Sequence, residues 1–146
     1  MLHSKKIDQM CTQWRGALEV ATPLIMRLVV GSVFAFAGWG KLHNLAGVTE
    51  FFQSLGIPFA NIQAPFVAVV ELLGGVALII GACTRCVALP LMVIMVVALA
   101  TAKQEAFVSL SELFETDDFL YFIILMALAT YGAGKASVDH FWCRKP

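Results

Sequence analysis

Two stretches of this chain, about Val20 to Leu42 and about Ala60 to Thr84, are apolar for long enough to cross a lipid bilayer. Only Arg27 and Lys41 interrupt the first and only Glu71 the second. A hydrocarbon layer of roughly 30 Å takes about 20 helical residues, so length alone reads both as membrane spans. A third run, CVALPLMVIMVVALATA, lies between Arg85 and Lys103 and is long enough if those two cations snorkel outward. The fourth, FLYFIILMALATYGAG, is the shortest and is bounded by Asp118 and Lys135. No water in the bilayer core can satisfy the backbone, so each run is expected to be an α-helix. The predicted fold is an all-α integral membrane protein, a four-transmembrane-helix bundle with short interfacial helices.

Composition supports the same class. Of 146 residues, 60% are hydrophobic and 14% charged, against about 45–50% apolar in soluble domains. Mean hydropathy is +0.82. The formal net charge is zero, so no basic face is offered to nucleic acid. The N-terminal MLHSKKIDQMCTQWRG has no uninterrupted apolar core of signal-peptide length and is expected to stay on the mature protein.

Charge asymmetry sets the expected orientation. Lys5, Lys6 and Arg15 in the N-terminal arm, Arg85 in the second connection, and Lys135, Arg144 and Lys145 in the tail fall on one side. Glu105, Glu112, Glu115, Asp117 and Asp118 gather on the other. The cation-rich side is predicted to be cytoplasmic, with both termini inside a bacterial inner membrane. The expected organisation is an arm over 1–19, which either forms an interfacial helix or is disordered, a membrane domain over 20–140 and a tail over 141–146. In the first connection, Val48, Phe51, Phe52 and Leu55 recur at helical spacing before Gly56 and Pro58, which predicts a short amphipathic helix. Ser109 and Glu112 have the spacing of a capping box, predicting another in the third connection.

Ionisable groups inside a bilayer cost several kcal/mol unless paired or wet, so Arg27 and Glu71 are the sharpest functional candidates. Arg27, Gly31, Ala35 and Gly38 share a stripe of small residues, as do Ala64, Ala68, Glu71 and either Gly74 or Gly75, and such stripes mark helix-packing faces. Both charges are therefore expected to point into the bundle and to pair across a depth gap of about 10 Å. The pair is either a structural lock on helix register or a proton-coupled or polar-ligand site. Lys41 and Lys103 at the outer helix ends could form a polar mouth with Trp39 and His43, although interfacial anchoring is the simpler account. His3, His43 and His140 give no haem signal, since none lies in a helix interior. Cys83 and Cys86 have the spacing of a redox dithiol or half a metal knuckle, with Cys11 and Cys143 on the same side. Ordinary unpaired cysteines are favoured there, because the cytoplasm keeps thiols reduced.

The ordered segments RLVVGSVFAFAGWGKL, FFQSLGIP, VELLGGVALIIGACTR and GAGKASVDH resemble the DoxX family of bacterial four-helix membrane proteins. The resemblance points to Arg27, Gly31, Gly38, Lys41, Gly56, Pro58, Glu71, Gly75, Gly81, Arg85, Gly134, Ser137 and Asp139. Gly132-Ala133-Gly134 stands where many relatives have Gly-Pro-Gly. It implies an association with membrane oxidoreduction, possible partners being a quinone and a redox protein. The chain carries no haem, flavin or nicotinamide motif, so electrons would come from a partner. The leading expectation is thus a redox-associated inner-membrane subunit that holds a quinone or quinol near Arg27 and Glu71, with Lys41, Trp39 or Lys103 at the opening. The alternative is a non-enzymatic scaffold or assembly factor for a redox or stress-response partner, and a small transporter is third. Homo-oligomerisation is compatible with each.

Overall fold

The computed structural model describes residues 2–102 and 110–142, in seven helices with no strand among them. Helix α1 runs unbroken from Leu2 to His43, so the arm and the first span are one element. At 1.5 Å per residue it is about 63 Å long, twice the hydrocarbon thickness. Then come α2, Leu45–Ser54; α3, Ala60–Ile80; α4, Thr84–Ala102; α5, Leu110–Glu115; α6, Asp117–Tyr131; and α7, Val138–Trp142. The short first-connection helix is α2, opened by the Asn44 side chain accepting from the Gly47 amide. Ser109 lies outside the described residues.

Helices α1, α3, α4 and α6 alternate in direction and form the bundle. One end, where α3 meets α4 and the chain leaves α6, is the tail end. The other is the α2 end. Three helical segments, Gly16–His43, Ala60–Ile80 and Thr84–Ala102, are long and apolar enough to cross a membrane. Helix α6 has 15 residues, about 22 Å, and falls short of that length. Proline inside α1, α3 and α4 does not end them, as is usual where neighbouring helices cover the freed carbonyls.

The tightest seam joins α1 and α3. A Cβ added at Gly38 would lie 2.3 Å from the Leu72 amide nitrogen, and one at Gly75 the same distance from that of Ala35. Backbone meets backbone there, which only glycine permits. The remaining core is Val30, Phe34, Leu78, Ala88, Leu91, Met95, Leu125 and Leu128, contributed by all four bundle helices. Large side chains such as Phe36, Leu73, Val93 and Leu120 stay on the outside. An apolar exterior around a core of small and medium side chains is the pattern lipid solvation demands.

Candidate functional site

The α1–α3 seam decides which charges meet. Gly31 sits against Gly75 and Ile79, and Gly38 against Ala68 and Leu72, so Arg27 falls level with the last turn of α3. Its Nη2 lies 3.5 Å from the Ile79 carbonyl oxygen, and Glu71 is eight residues further along, about 12 Å by helical rise. The expected Arg27–Glu71 pair is therefore not formed. Arg27, 2% exposed, turns to the tail instead, where Nη1 donates to the Ala133 carbonyl at 2.5 Å and Nη2 to that of Ala136 at 2.9 Å. The chain returning from α6 leaves carbonyls without helical partners, and the guanidinium supplies their donors.

Gly81 completes this clamp. It ends α3 at φ 72°, with the Ala82 amide bonding back to the Ala77 carbonyl, and a Cβ there would come 2.7 Å from Arg27 Nη1. Beside it the Asp139 carboxylate accepts from the amides of Cys83, at 2.6 Å, and Thr84, at 2.9 Å, capping α4. Ser137 accepts from the His140 amide at the start of α7. Arg85 lies along Gly132, its Nε 3.1 Å from where a Cβ would stand.

Glu71 finds its cation at the α2 end. Lys41 Nζ lies 2.5 Å from both carboxylate oxygens, in an ion pair whose acid is 1% exposed. Lys41 is three residues beyond Gly38 and so shares its α3-facing stripe. The weld at Gly38 carries the ammonium to within one turn of Glu71.

This pair lies in the wall of a cavity of about 550 Å³ between α2, α3, α4 and the start of α6. Val48, Phe52, Leu55, Phe66, Val67, Ile94 and Ala98 give it an apolar lining, and Lys41, Asn44, Gln63, Glu71, Thr101 and Asp118 are its polar points. Phe66, Val93 and Val97 line it while remaining exposed on the bundle surface, so it opens sideways between α3 and α4. An apolar chamber of this size with a few convergent polar groups suits a small amphipathic molecule. Asp118, which the sequence offers only as a boundary charge of α6, is a wall residue.

Trp39 is outside this lining, 56% exposed and tilted against His43 with ring centroids 4.4 Å apart. Lys103 and Cys143 lie outside the described residues, and Cys11 is in α1 with its side chain undescribed. Cys83 and Cys86 are free and exposed at the tail end. Among the described residues no group of three or more His, Cys, Asp or Glu side chains could hold a metal ion.

The DoxX family pattern matches residues 22–104, which hold the α1–α3 seam, Arg27, Lys41 and Glu71. The chain belongs to the DoxX family. It is 30% identical over 126 residues to CatD of Bacillus subtilis (strain 168), a protein with a provisional oxidoreductase name, covering 86% of this chain and 89% of that one. It is also 35% identical over 72 residues to the inner membrane protein YqjF of Escherichia coli (strain K12), covering 49% and 54%. No solved structure matches. As a DoxX protein with three apolar helices of spanning length, the chain is a multi-pass inner membrane protein.

Proposed function

We propose that this DoxX protein is a redox-associated membrane subunit that receives a quinone or quinol headgroup in the cavity at the α2 end. The observation that carries the reading is the Lys41–Glu71 ion pair set into an apolar chamber that opens toward the lipid. A quinone headgroup has two carbonyl acceptors that become hydroxyl donors on reduction, and an isoprenoid tail that must stay in the bilayer. Lys41 is placed to donate to a headgroup carbonyl, and Glu71 to accept from the hydroxyl of the reduced form. The gap between α3 and α4 leaves the tail in lipid. Bound there, the quinone would supply a two-electron, two-proton couple, the electrons coming from a redox protein partner; the oxidoreductase name of CatD supports a redox role.

In this reading both termini face the cytoplasm, α6 is the fourth crossing and the cavity lies toward the outer leaflet. Arg27 is a positioning residue for the tail and does not touch the ligand. The test is extraction of the protein purified in mild detergent, followed by titration with a short-chain quinone analogue. Lipid-extractable quinone in the native protein, and loss of analogue binding in Lys41→Ala with the fold retained, are the expected results. A bundle that purifies empty and takes up no analogue would make the protein a scaffold or assembly factor.

A further inference from the structure

We propose that Cys83 and Cys86 form a reversible dithiol–disulfide site at the tail end of the bundle, oxidised by exchange with a small disulfide of the glutathione class. The site stands independently of the quinone cavity. Cys83 immediately precedes α4 and its carbonyl accepts from the Val87 amide at 3.0 Å, which makes it the N-cap of the helix. Cys86 is three residues on, in the first turn. A disulfide needs the two Cβ atoms about 3.5–4.5 Å apart, and two cysteines separated by two residues across the first turn of a helix come to that separation with a small shift of the turn's backbone. Both thiols are free and exposed, so a small disulfide can reach either.

The backbone around them is held from two directions. Cys83 adopts φ 49°, a left-handed conformation that non-glycine residues rarely take up. The Asp139 carboxylate holds it there by taking the amides of Cys83 and Thr84, and the Asp139 amide in turn bonds the Gly81 carbonyl at 3.0 Å. A strained backbone over-determined by a residue 56 positions away is more than an ordinary helix start requires. Its effect is to hold the Cys83 backbone at the start of α4, in the same turn as Cys86, which favours ring closure within the chain over capture of a second external thiol. Asp139 is thus a positioning residue for the pair.

The exchange balances without another reactant. One cysteine, having released its proton to water, attacks a sulfur of the external disulfide. That S–S bond breaks, the leaving thiolate takes up a proton, and a mixed disulfide remains on the protein. The second cysteine then displaces the remaining thiol in the same way. In sum two protein thiols are oxidised to one intramolecular disulfide and one external disulfide is reduced to two thiols. Glu19, Lys135 and Arg85 at this end place the reaction beside water, and the cation asymmetry assigns it to the cytoplasm. Thiols there are reduced at rest, so the site reports oxidative conditions. Cys83 lies beyond the end of α3, whose last residue, Ile80, is already nine residues and about 14 Å past Glu71, too far for sulfur to reach the Lys41–Glu71 pair.

The experiment uses the full chain in mild detergent, with Cys11→Ser and Cys143→Ser removing competing thiols. It is equilibrated with reduced and oxidised glutathione in stepped ratios, quenched with acid and read by intact mass. The expected product loses two hydrogens, resists alkylation at both cysteines and returns to the dithiol with reductant. Cys83→Ser and Cys86→Ser should each accumulate the single glutathione adduct instead. Adding Asp139→Ala should shift the product several-fold from the intramolecular disulfide toward the mixed one, which Asp139→Asn should partly restore. Stable adducts on the intact pair, or free thiols at the most oxidising ratio, would overturn the proposal, and neither result bears on quinone binding.

Discussion

Breaking the Lys41–Glu71 pair tests the α1–α3 register and the site together. Glu71 is 1% exposed with both oxygens 2.5 Å from one ammonium, whereas the Lys41 side chain keeps 30% of its surface. The two truncations should therefore be unequal. Lys41→Ala strands a buried carboxylate and is expected to cost about 3–5 kcal/mol. Glu71→Ala leaves an ammonium on a flexible stem near the membrane surface, able to snorkel to water, and should cost roughly 1–3 kcal/mol. The double variant, with neither charge left, should cost less than the two together, giving a coupling of at least about 1 kcal/mol. Reversible denaturation in mixed detergent micelles, followed by circular dichroism, measures all four corners of the cycle. The parallel cycle of Arg27→Ala with Glu71→Ala should be additive within about 0.5 kcal/mol, because the two sites share no partner. Additivity in the first cycle, or coupling in the second, would refute the register drawn from Gly31, Gly38 and Gly75.

Gly38→Ala and Gly75→Ala should each destabilise the bundle by about 1–3 kcal/mol or more in the same assay, whereas Gly40→Ala, with nothing within 4 Å, should be neutral or slightly stabilising. Arg27→Ala should free the tail, measured as faster proteolysis within residues 132–142 with quinone-analogue binding retained. Cys83→Ser combined with Cys86→Ser should leave folding and analogue binding intact, and loss of binding would tie the thiols to the cavity. For topology, a membrane-impermeant thiol reagent should label Asn44→Cys but not Cys86 in intact cells, and the reverse pattern would invert the orientation.

Much of this arrangement was legible because the bilayer admits so few solutions. Apolar length marks α1, α3 and α4, and the stripes Gly31–Gly38 and Ala68–Gly75 identify the faces that pack. Periodicity gives the face of a helix but not its axial offset against a neighbour, and the offset decided Arg27. Depth measured from assumed helix ends cannot tell a partner 10 Å away from one in contact. The close approach at Gly38 can, and it brings Lys41, three residues on and read from the sequence as an interfacial anchor, level with Glu71. The tail clamp was harder to see, since carbonyls of a loop leave no mark in a sequence. Only the cluster of glycines with Ser137 and Asp139 hinted that the segment after α6 is structured.

The positions of Arg27 and Asp139 have a mechanical consequence. Arg27 and Asp139 are spent on fixing one end of the molecule, tying α1, α3, α4 and the tail into a knot whose every polar group but Arg27 Nε and Thr84 Oγ1 is satisfied among the described buried side chains. Together with the glycine weld of α1 to α3, this makes that end the rigid frame. At the α2 end the wall between α3 and α4 is built of Phe66, Val67, Val93 and Val97, side chains with no hydrogen bond across the gap to hold it shut. Motion that admits a membrane-soluble ligand is therefore cheapest there. Lys41 and Glu71 stand on the welded pair of helices, so the gap can widen without displacing the two charges that would recognise what enters.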